Sequence, residues 1–214
     1  MGDGAVGSRV GVCSTSDQTA GVRCICIYCG SNPGNSPAFA VAAIDLGQAL
    51  AAAGLGLVYG GGRVGLMGTI ADAALAAGAE VIGVIPRQLA DREVAHEGLS
   101  ELVVVETMHE RKAAMADRSA GFIALPGGYG TLDEVLEILT WNQIGAIAKP
   151  VVFLDVERYF ESLFRFFDEA VGAGLLMPAH RAMAQRVDNV DEAVSIADGS
   201  PMPSPSKWTD PSVR

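Results

Sequence analysis

The sequence predicts a doubly wound α/β fold of the Rossmann type, a mostly parallel sheet within a single domain. Three observations carry that prediction. Short runs of Val, Ile and Leu alternate along the chain with longer helical patterns. The apolar runs are continuous, as in strands covered on both faces by crossover helices. The unusual residues, glycines above all, follow directly after the apolar runs, at the strand ends where an open α/β sheet holds its ligand.

Taken in order, RCICIY reads as the first strand and SPAFAVAAIDLGQALAAAG as the first helix. Ser36 can cap that helix, Pro37 suits its first position, and Gly54 suits a left-handed exit. LGLVYG and GLMGTIADAALAAG form the second strand and helix, and EVIGVIP the third strand, followed by a polar loop, PRQLADRE. ELVVVE leads into the helix MHERKAAMADRS, GFIALP into TLDEVLEILTWNQIG, and KPVVFLD into RYFESLFRFFDEAVGAG. Residues 1–21 are rich in Gly, Ser and Thr, and residues 199–214 in Pro and Ser; both read as disordered tails, which leaves 22–198 as the folded domain.

With 214 residues and half of them hydrophobic, the chain can bury one substantial core. A formal net charge of -10 and a pI near 4.7 repel a phosphate backbone, so nucleic acid is excluded as a partner. Any anion must therefore be gripped by local chemistry. No run is long and apolar enough for a membrane helix, and the N-terminus lacks a signal-peptide core, so a cytoplasmic protein without a membrane partner is expected. Cys13, Cys24, Cys26 and Cys29 include a C-x-C-x-x-C run, but no second cluster accompanies it. Cys24 and Cys26 read as packed strand residues, and no metal is expected.

Gly60, Gly62 and Gly65 match G-x-G-x-x-G, yet they follow the second strand rather than the first, and the acid of the next strand, Glu80, stands at the wrong end for a ribose. A dinucleotide is thus disfavoured. PGGYGTLDE is more specific: amides of Gly127, Gly128 and Gly130 can approach a phosphate closely, Thr131 adds a hydroxyl, and a helix begins there. No G-K-[ST] ends the loop, so a monophosphate suits it better than a triphosphate. Thr131 and Glu134 also fit a T-x-x-E capping box, which leaves Glu134 open between cap and functional carboxylate. Thr107 and Glu110 form a second such pair, followed by Arg111 and Lys112, whose charges oppose the helix dipole and are rationalised either by an anion nearby or by plain surface solvation. Glu93, in the polar loop DREVAHEGL, has no local distinction.

GGGRVGLMG, MHERK and PGGYGTLDE, followed by LTWNQIG and KPVVFLD, resemble the LOG (Lonely guy) family of cytokinin riboside 5′-monophosphate phosphoribohydrolases, over residues 24 to 184. The resemblance implies hydrolysis of the N-glycosidic bond of an N6-substituted adenosine 5′-monophosphate, or of AMP itself, to the free base and ribose 5-phosphate. It implies Arg111 and Glu134 as the catalytic pair. Gly127, Gly128, Gly130 and Thr131 would hold the phosphate, while Glu93, Lys112 and Thr140 match other substrate-binding positions, joined by Gly61, Gly62 and Tyr129. A homodimer with paired long helices and no cofactor is implied as well. Asp133 stands where relatives often have Glu, and is expected to face solvent. The chemistry agrees, since an oxocarbenium-like sugar needs a carboxylate beside it to balance charge or activate water. Arg111 can orient the phosphate or ribose and hold that carboxylate ionised. A non-catalytic nucleotide or molybdenum-cofactor binding protein of the related fold is the competing reading. The lysine decarboxylase label sometimes given to such proteins finds no recognisable pyridoxal phosphate lysine here.

Overall fold

The computed structural model describes residues 21–90 and 95–199; residues 1–20 and 200–214, which hold nearly all of both expected tails, lie outside them. The elements run β1 (Cys24–Tyr28), α1 (Pro37–Ala52), β2 (Gly56–Tyr59), α2 (Gly65–Ala76), β3 (Val81–Pro86) and α3 (Arg87–Ala90). They continue through β4 (Glu101–Val105), α4 (Met108–Asp117), β5 (Gly121–Ala124), α5 (Tyr129–Gln143) and β6 (Val151–Leu154). After a 3-10 turn (Val156–Arg158) come α6 (Glu161–Gly172), α7 (Pro178–Arg181), β7 (Ala184–Val187) and α8 (Val190–Ala197).

The strands form one parallel seven-stranded sheet in the order β4-β3-β2-β1-β5-β6-β7. This is the doubly wound α/β arrangement that the alternating pattern predicts. Ile25 of β1 pairs with Leu57 of β2 on one side and Gly121 of β5 on the other. The winding reverses between β1 and β5, and there the loops after the two strands part to opposite faces and leave a crevice.

Side-chain alternation on the strands splits the core into two layers. Ile25 and Ile27 pack with Leu46, Leu50, Ile70 and Val194 from α1, α2 and α8. Cys24, Cys26 and Tyr28 pack on the other face with Met115, Ile138 and Phe164 from α4, α5 and α6. Each fully buried aliphatic side chain contributes about 1.5–3 kcal/mol, so both faces hold the sheet in place. The thiols of Cys24 and Cys26 thus belong to one layer and that of Cys29 to the other. Burial raises the pKa of all three above the ordinary thiol value.

Ser36 caps α1 through its side chain, which accepts from the Ala38 amide at 3.2 Å, and Gly54 exits with φ of 69°. Four boundaries differ from the sequence expectation. The PRQLADRE segment, expected as loop, contains the single helical turn α3. α6 starts at Glu161 because Glu157 and Arg158 adopt left-handed backbone. β7, α7 and α8 complete the sheet edge beyond the last expected helix. α5 starts at Tyr129 rather than Thr131. Among the described residues, no helix is long and apolar enough to cross a membrane.

Candidate active site

The crevice between β1 and β5 opens into a cavity of about 460 Å³. Its walls come from the β1–α1 loop (29–34), the β5–α5 loop with the first turn of α5 (126–131), and Phe39, Leu66, Met67, Arg111, Glu134 and Tyr159. A hydrogen bond from the Gly30 amide to the Pro126 carbonyl, 3.1 Å, ties the two loops across the switch point.

Gly128 is the N-cap of α5 and has no side-chain cap, so the first-turn amides carry no intrahelical acceptor and face the loop region. A Cβ on Gly128 or Gly130 would meet nothing within 4 Å, which leaves the backbone there open to approach. Gly127 is different: a Cβ would stand 2.0 Å from the Thr131 Oγ1, so only glycine lets the loop fold back against that threonine. Thr131 is 4% exposed. Open amides, a helix dipole and a hydroxyl are groups that can cradle an anion.

Glu134 does not cap α5. The helix begins two residues before Thr131, so the T-x-x-E spacing places Thr131 and Glu134 on one face, one turn apart, instead of at a terminus. The Glu134 carboxylate instead meets Arg111, Nη1 to Oε1 at 2.9 Å, with both residues 8% exposed. Arg111 also donates from Nε to the Val84 carbonyl of β3 at 3.0 Å. Two anchors on one planar guanidinium fix its orientation. Gly60, the first glycine of GGGRVG, provides the room, since a Cβ there would lie 2.2 Å from the Arg111 Nη2. Gly65 serves packing in the same way: its φ is 61°, and a Cβ would strike the Ser31 carbonyl at 2.2 Å. These glycines answer to tertiary contacts rather than to a dinucleotide.

The Thr107 and Glu110 box is formed on both sides. The Glu110 amide donates to the Thr107 Oγ1 at 3.1 Å, and the Glu110 carboxylate accepts from the Thr107 amide at 3.3 Å. The cations that follow find their anions within the protein. Lys112 Nζ lies 2.7 Å from Asp133 and 3.0 Å from Glu137, so two ion-pair sets join α4 to α5. Burial disfavours the Lys112 ammonium, but the two carboxylates outweigh it and hold its pKa above the ordinary lysine value. Asp133 remains largely open to solvent while it bridges to Lys112.

The other expected site residues are dispersed. Tyr129 stands at the cavity lip, 95% exposed. Gly61, with φ of 78°, packs against β3, and Gly62 bridges to Ala95; neither lines the cavity. Lys112 does not line it either. The Thr140 hydroxyl donates to the Leu136 carbonyl at 2.8 Å and borders a separate small pocket with Leu139 and His180. Glu93 lies outside the described residues. Phe39 and Tyr159 line the cavity without having stood out in the sequence, and Cys29 and Met67, which lie within the C-x-C-x-x-C run and the GGGRVGLMG segment, line it without having been expected there. Phe39 carries ordinary helical spacing, and Tyr159 arrives from the turn that follows β6, so no local pattern marks either.

Of the two lysines among the described residues, Lys112 is engaged by carboxylates and Lys149 stands before β6, at the opposite end of the strands, donating to the Ala116 carbonyl at 2.7 Å. The cavity walls therefore do not fit a Schiff-base cofactor, which needs a lysine at its carbonyl carbon.

Fold and site together define an α/β protein with an anion cradle at a switch-point helix N-terminus and a buried Arg–Glu pair one turn further on. A family model described as "Possible lysine decarboxylase" matches residues 67–196. Cytokinin riboside 5′-monophosphate phosphoribohydrolase LOG1 of Arabidopsis thaliana is 48% identical over 170 residues, covering 79% of this chain and 80% of that protein. LOG3 of the same plant, of the same described activity, is 45% identical over 179 residues, covering 84% and 83%. The chain belongs to this LOG-type family. Among solved structures, the molybdenum cofactor carrier protein of Chlamydomonas reinhardtii superposes with a TM-score of 0.62 at 24% identity, covering 81% of this chain and 94% of that one. The molybdenum cofactor binding protein of Rippkaea orientalis gives 0.60 at 21% identity, covering 81% and 93%. At such identity, these likenesses show the fold alone.

Proposed function

We propose that this protein is an N-glycosyl hydrolase that cleaves adenosine 5′-monophosphates, with or without an N6 substituent, into the free base and ribose 5-phosphate. The observation that carries the reading is the single-turn spacing on α5 between Thr131, in the cradle, and the ion-paired Glu134. Three residues along a helix rise about 4.5 Å, on the scale that separates a 5′-phosphate from the far side of its own ribose. Membership of a family whose curated relatives are named phosphoribohydrolases supports the same reaction.

In this reading the amides at 128–131 and the Thr131 hydroxyl hold the phosphate, with the ribose lying along the first turns of α5. As the C1′–N9 bond breaks, its electron pair leaves with the base and the sugar takes on oxocarbenium character. Glu134 supplies negative charge beside C1′ and takes a proton from the water whose oxygen forms the new bond to C1′; that proton is passed on to the departing base, which leaves the carboxylate ionised again. Arg111 orients the carboxylate and closes the charge balance. Tyr129, at the cavity lip, belongs to the same proposed substrate-binding set; Glu93, Lys112, Thr140, Gly61 and Gly62 are proposed as further substrate-binding residues on the family resemblance, although Lys112, Thr140, Gly61 and Gly62 lie outside the cavity walls.

The protein is further proposed to act as a cytoplasmic homodimer, without nucleic-acid or membrane partners. Free, buried Cys24, Cys26 and Cys29 suit a reducing compartment. Leu136, Ile144 and Phe166 leave apolar surface on α5, its C-cap and α6 that pairing would cover. Light scattering should return twice the chain mass of 22.1 kDa.

The deciding experiment is chromatographic detection of free base after incubation with isopentenyladenosine monophosphate, AMP and unphosphorylated isopentenyladenosine. Release from the monophosphates alone, lost in Glu134→Gln, is the expected result. Nucleotide binding without release from any of them would leave a carrier in place of an enzyme.

A further inference from the structure

Tyr159 enters the cavity from the β6 side. Its hydroxyl donates to the Gly127 carbonyl at 2.7 Å. Its ring meets Phe39 edge to face, centroids 5.7 Å apart. One side chain thus joins the segment after β6 to the cradle and to α1, across the mouth of the crevice.

The backbone leading into Tyr159 is unusual. Glu157 has φ of 52° and Arg158 φ of 61°, the two non-glycine residues with positive φ among those described. L residues enter that region at a cost, and two in succession persist only where surrounding contacts hold them. Phe160 provides part of that hold: it is 2% exposed, packs on Phe153, and its amide donates to the Asp155 carboxylate at 2.7 Å. Tyr159, by contrast, is 46% exposed, so the core does not require it. What its hydroxyl reaches is the cradle.

The peptide it grips joins two glycines. Gly127 and Gly128 flank it, and neither side chain restricts its rotation. In a trans peptide the Gly128 N–H points opposite to the Gly127 C=O, so a donor that fixes the carbonyl also fixes the direction of the amide. We propose that Tyr159 is a positioning residue for phosphate recognition: its hydrogen bond to Gly127 presets the Gly128 amide of the cradle, which selects for phosphorylated substrates. The inference rests on the reading of 127–131 as a phosphate site.

The test compares wild type with Tyr159→Phe, which keeps the ring against Phe39, and Tyr159→Leu, which removes both contacts. Calorimetric binding of ribose 5-phosphate and of unphosphorylated isopentenyladenosine is measured beside kcat and KM for the monophosphate. For Tyr159→Phe, a loss of one neutral hydrogen bond predicts roughly a fivefold weaker ribose 5-phosphate affinity and a similar rise in KM, with kcat little changed. Nucleoside binding should stay as in wild type, and Tyr159→Leu should show at least the same phosphate loss. Equal weakening of nucleoside and phosphate ligands, or no weakening of either, would overturn the proposal, as would a wild type that fails to bind ribose 5-phosphate. If wild type binds ribose 5-phosphate but releases no base, the hydrolase reading fails and the binding comparison alone still decides the role of Tyr159.

Discussion

Gly60 shows how one residue decides the state of another. Its missing side chain is the space that the Arg111 guanidinium fills, and a methyl group there would displace the end of a flexible side chain rather than the backbone. Gly60→Ala should therefore fold, with a small drop in Tm, yet separate Arg111 from Glu134. A misplacement on the order of 1 Å costs about a hundredfold in rate, which kcat/KM for the monophosphate would read. Glu134→Gln should keep ribose 5-phosphate binding and lose about 10²–10⁴-fold in kcat, the range of a general acid–base group. Unchanged turnover would remove Glu134 from the chemistry. Arg158 offers the opposite sign: it sits in left-handed backbone, and its ion pair with Glu161 is exposed. Relief of about 1 kcal/mol in Arg158→Gly should raise Tm by roughly 2–4 °C, and a lowered Tm would show that the turn tolerates arginine without strain. Neither the fit of Arg111 beside Gly60 nor its pair with Glu134 could be read from neighbouring sequence, because these residues approach from different elements, and Glu157 and Arg158 are not residue types that announce positive φ.

At the scale of elements, the two T-x-x-E segments differ only in context. In α4 the box forms, and Thr107→Ala should cost about 1 kcal/mol, measured by urea denaturation. In α5 the same spacing marks one helix face, because the helix has already begun at Tyr129. A side chain three residues on is a neighbour both across a cap and along a face, so spacing alone does not separate the two cases. The α4–α5 junction also has a pH signature. The pKa of Lys112 is raised above the ordinary lysine value of 10.5, so its ion pairs contribute stability that is complete below that value and lost as pH climbs through the folded pKa. Wild type should lose urea resistance above about pH 10.5 more steeply than Lys112→Met. Parallel titrations of the two proteins would deny Lys112 that role.

At the scale of the whole molecule, a formal charge of -10 opposes the approach of a dianionic nucleotide. Salt screens that repulsion beyond about 10 Å, while the cradle acts at contact. Raising ionic strength from low values should therefore increase kcat/KM for the monophosphate; a steady decrease would mean that the local field around Arg111 dominates capture. The doubly wound sheet, most of its strands, the anion-suited loop after β5 and the second capping box were determined by the sequence itself, because periodicity, glycine placement and cap residues act over a few neighbouring positions. The family resemblance singled out Arg111 and Glu134 as a catalytic pair. Only the tertiary structure decided that they form a buried pair, that Lys112 turns to Asp133 and Glu137, that Thr140 lies beside another pocket, and that Tyr159 braces the cradle. Those outcomes depend on how α4, α5 and the segment after β6 pack around one crevice, and packing between elements distant in the chain leaves no periodic trace in any one of them.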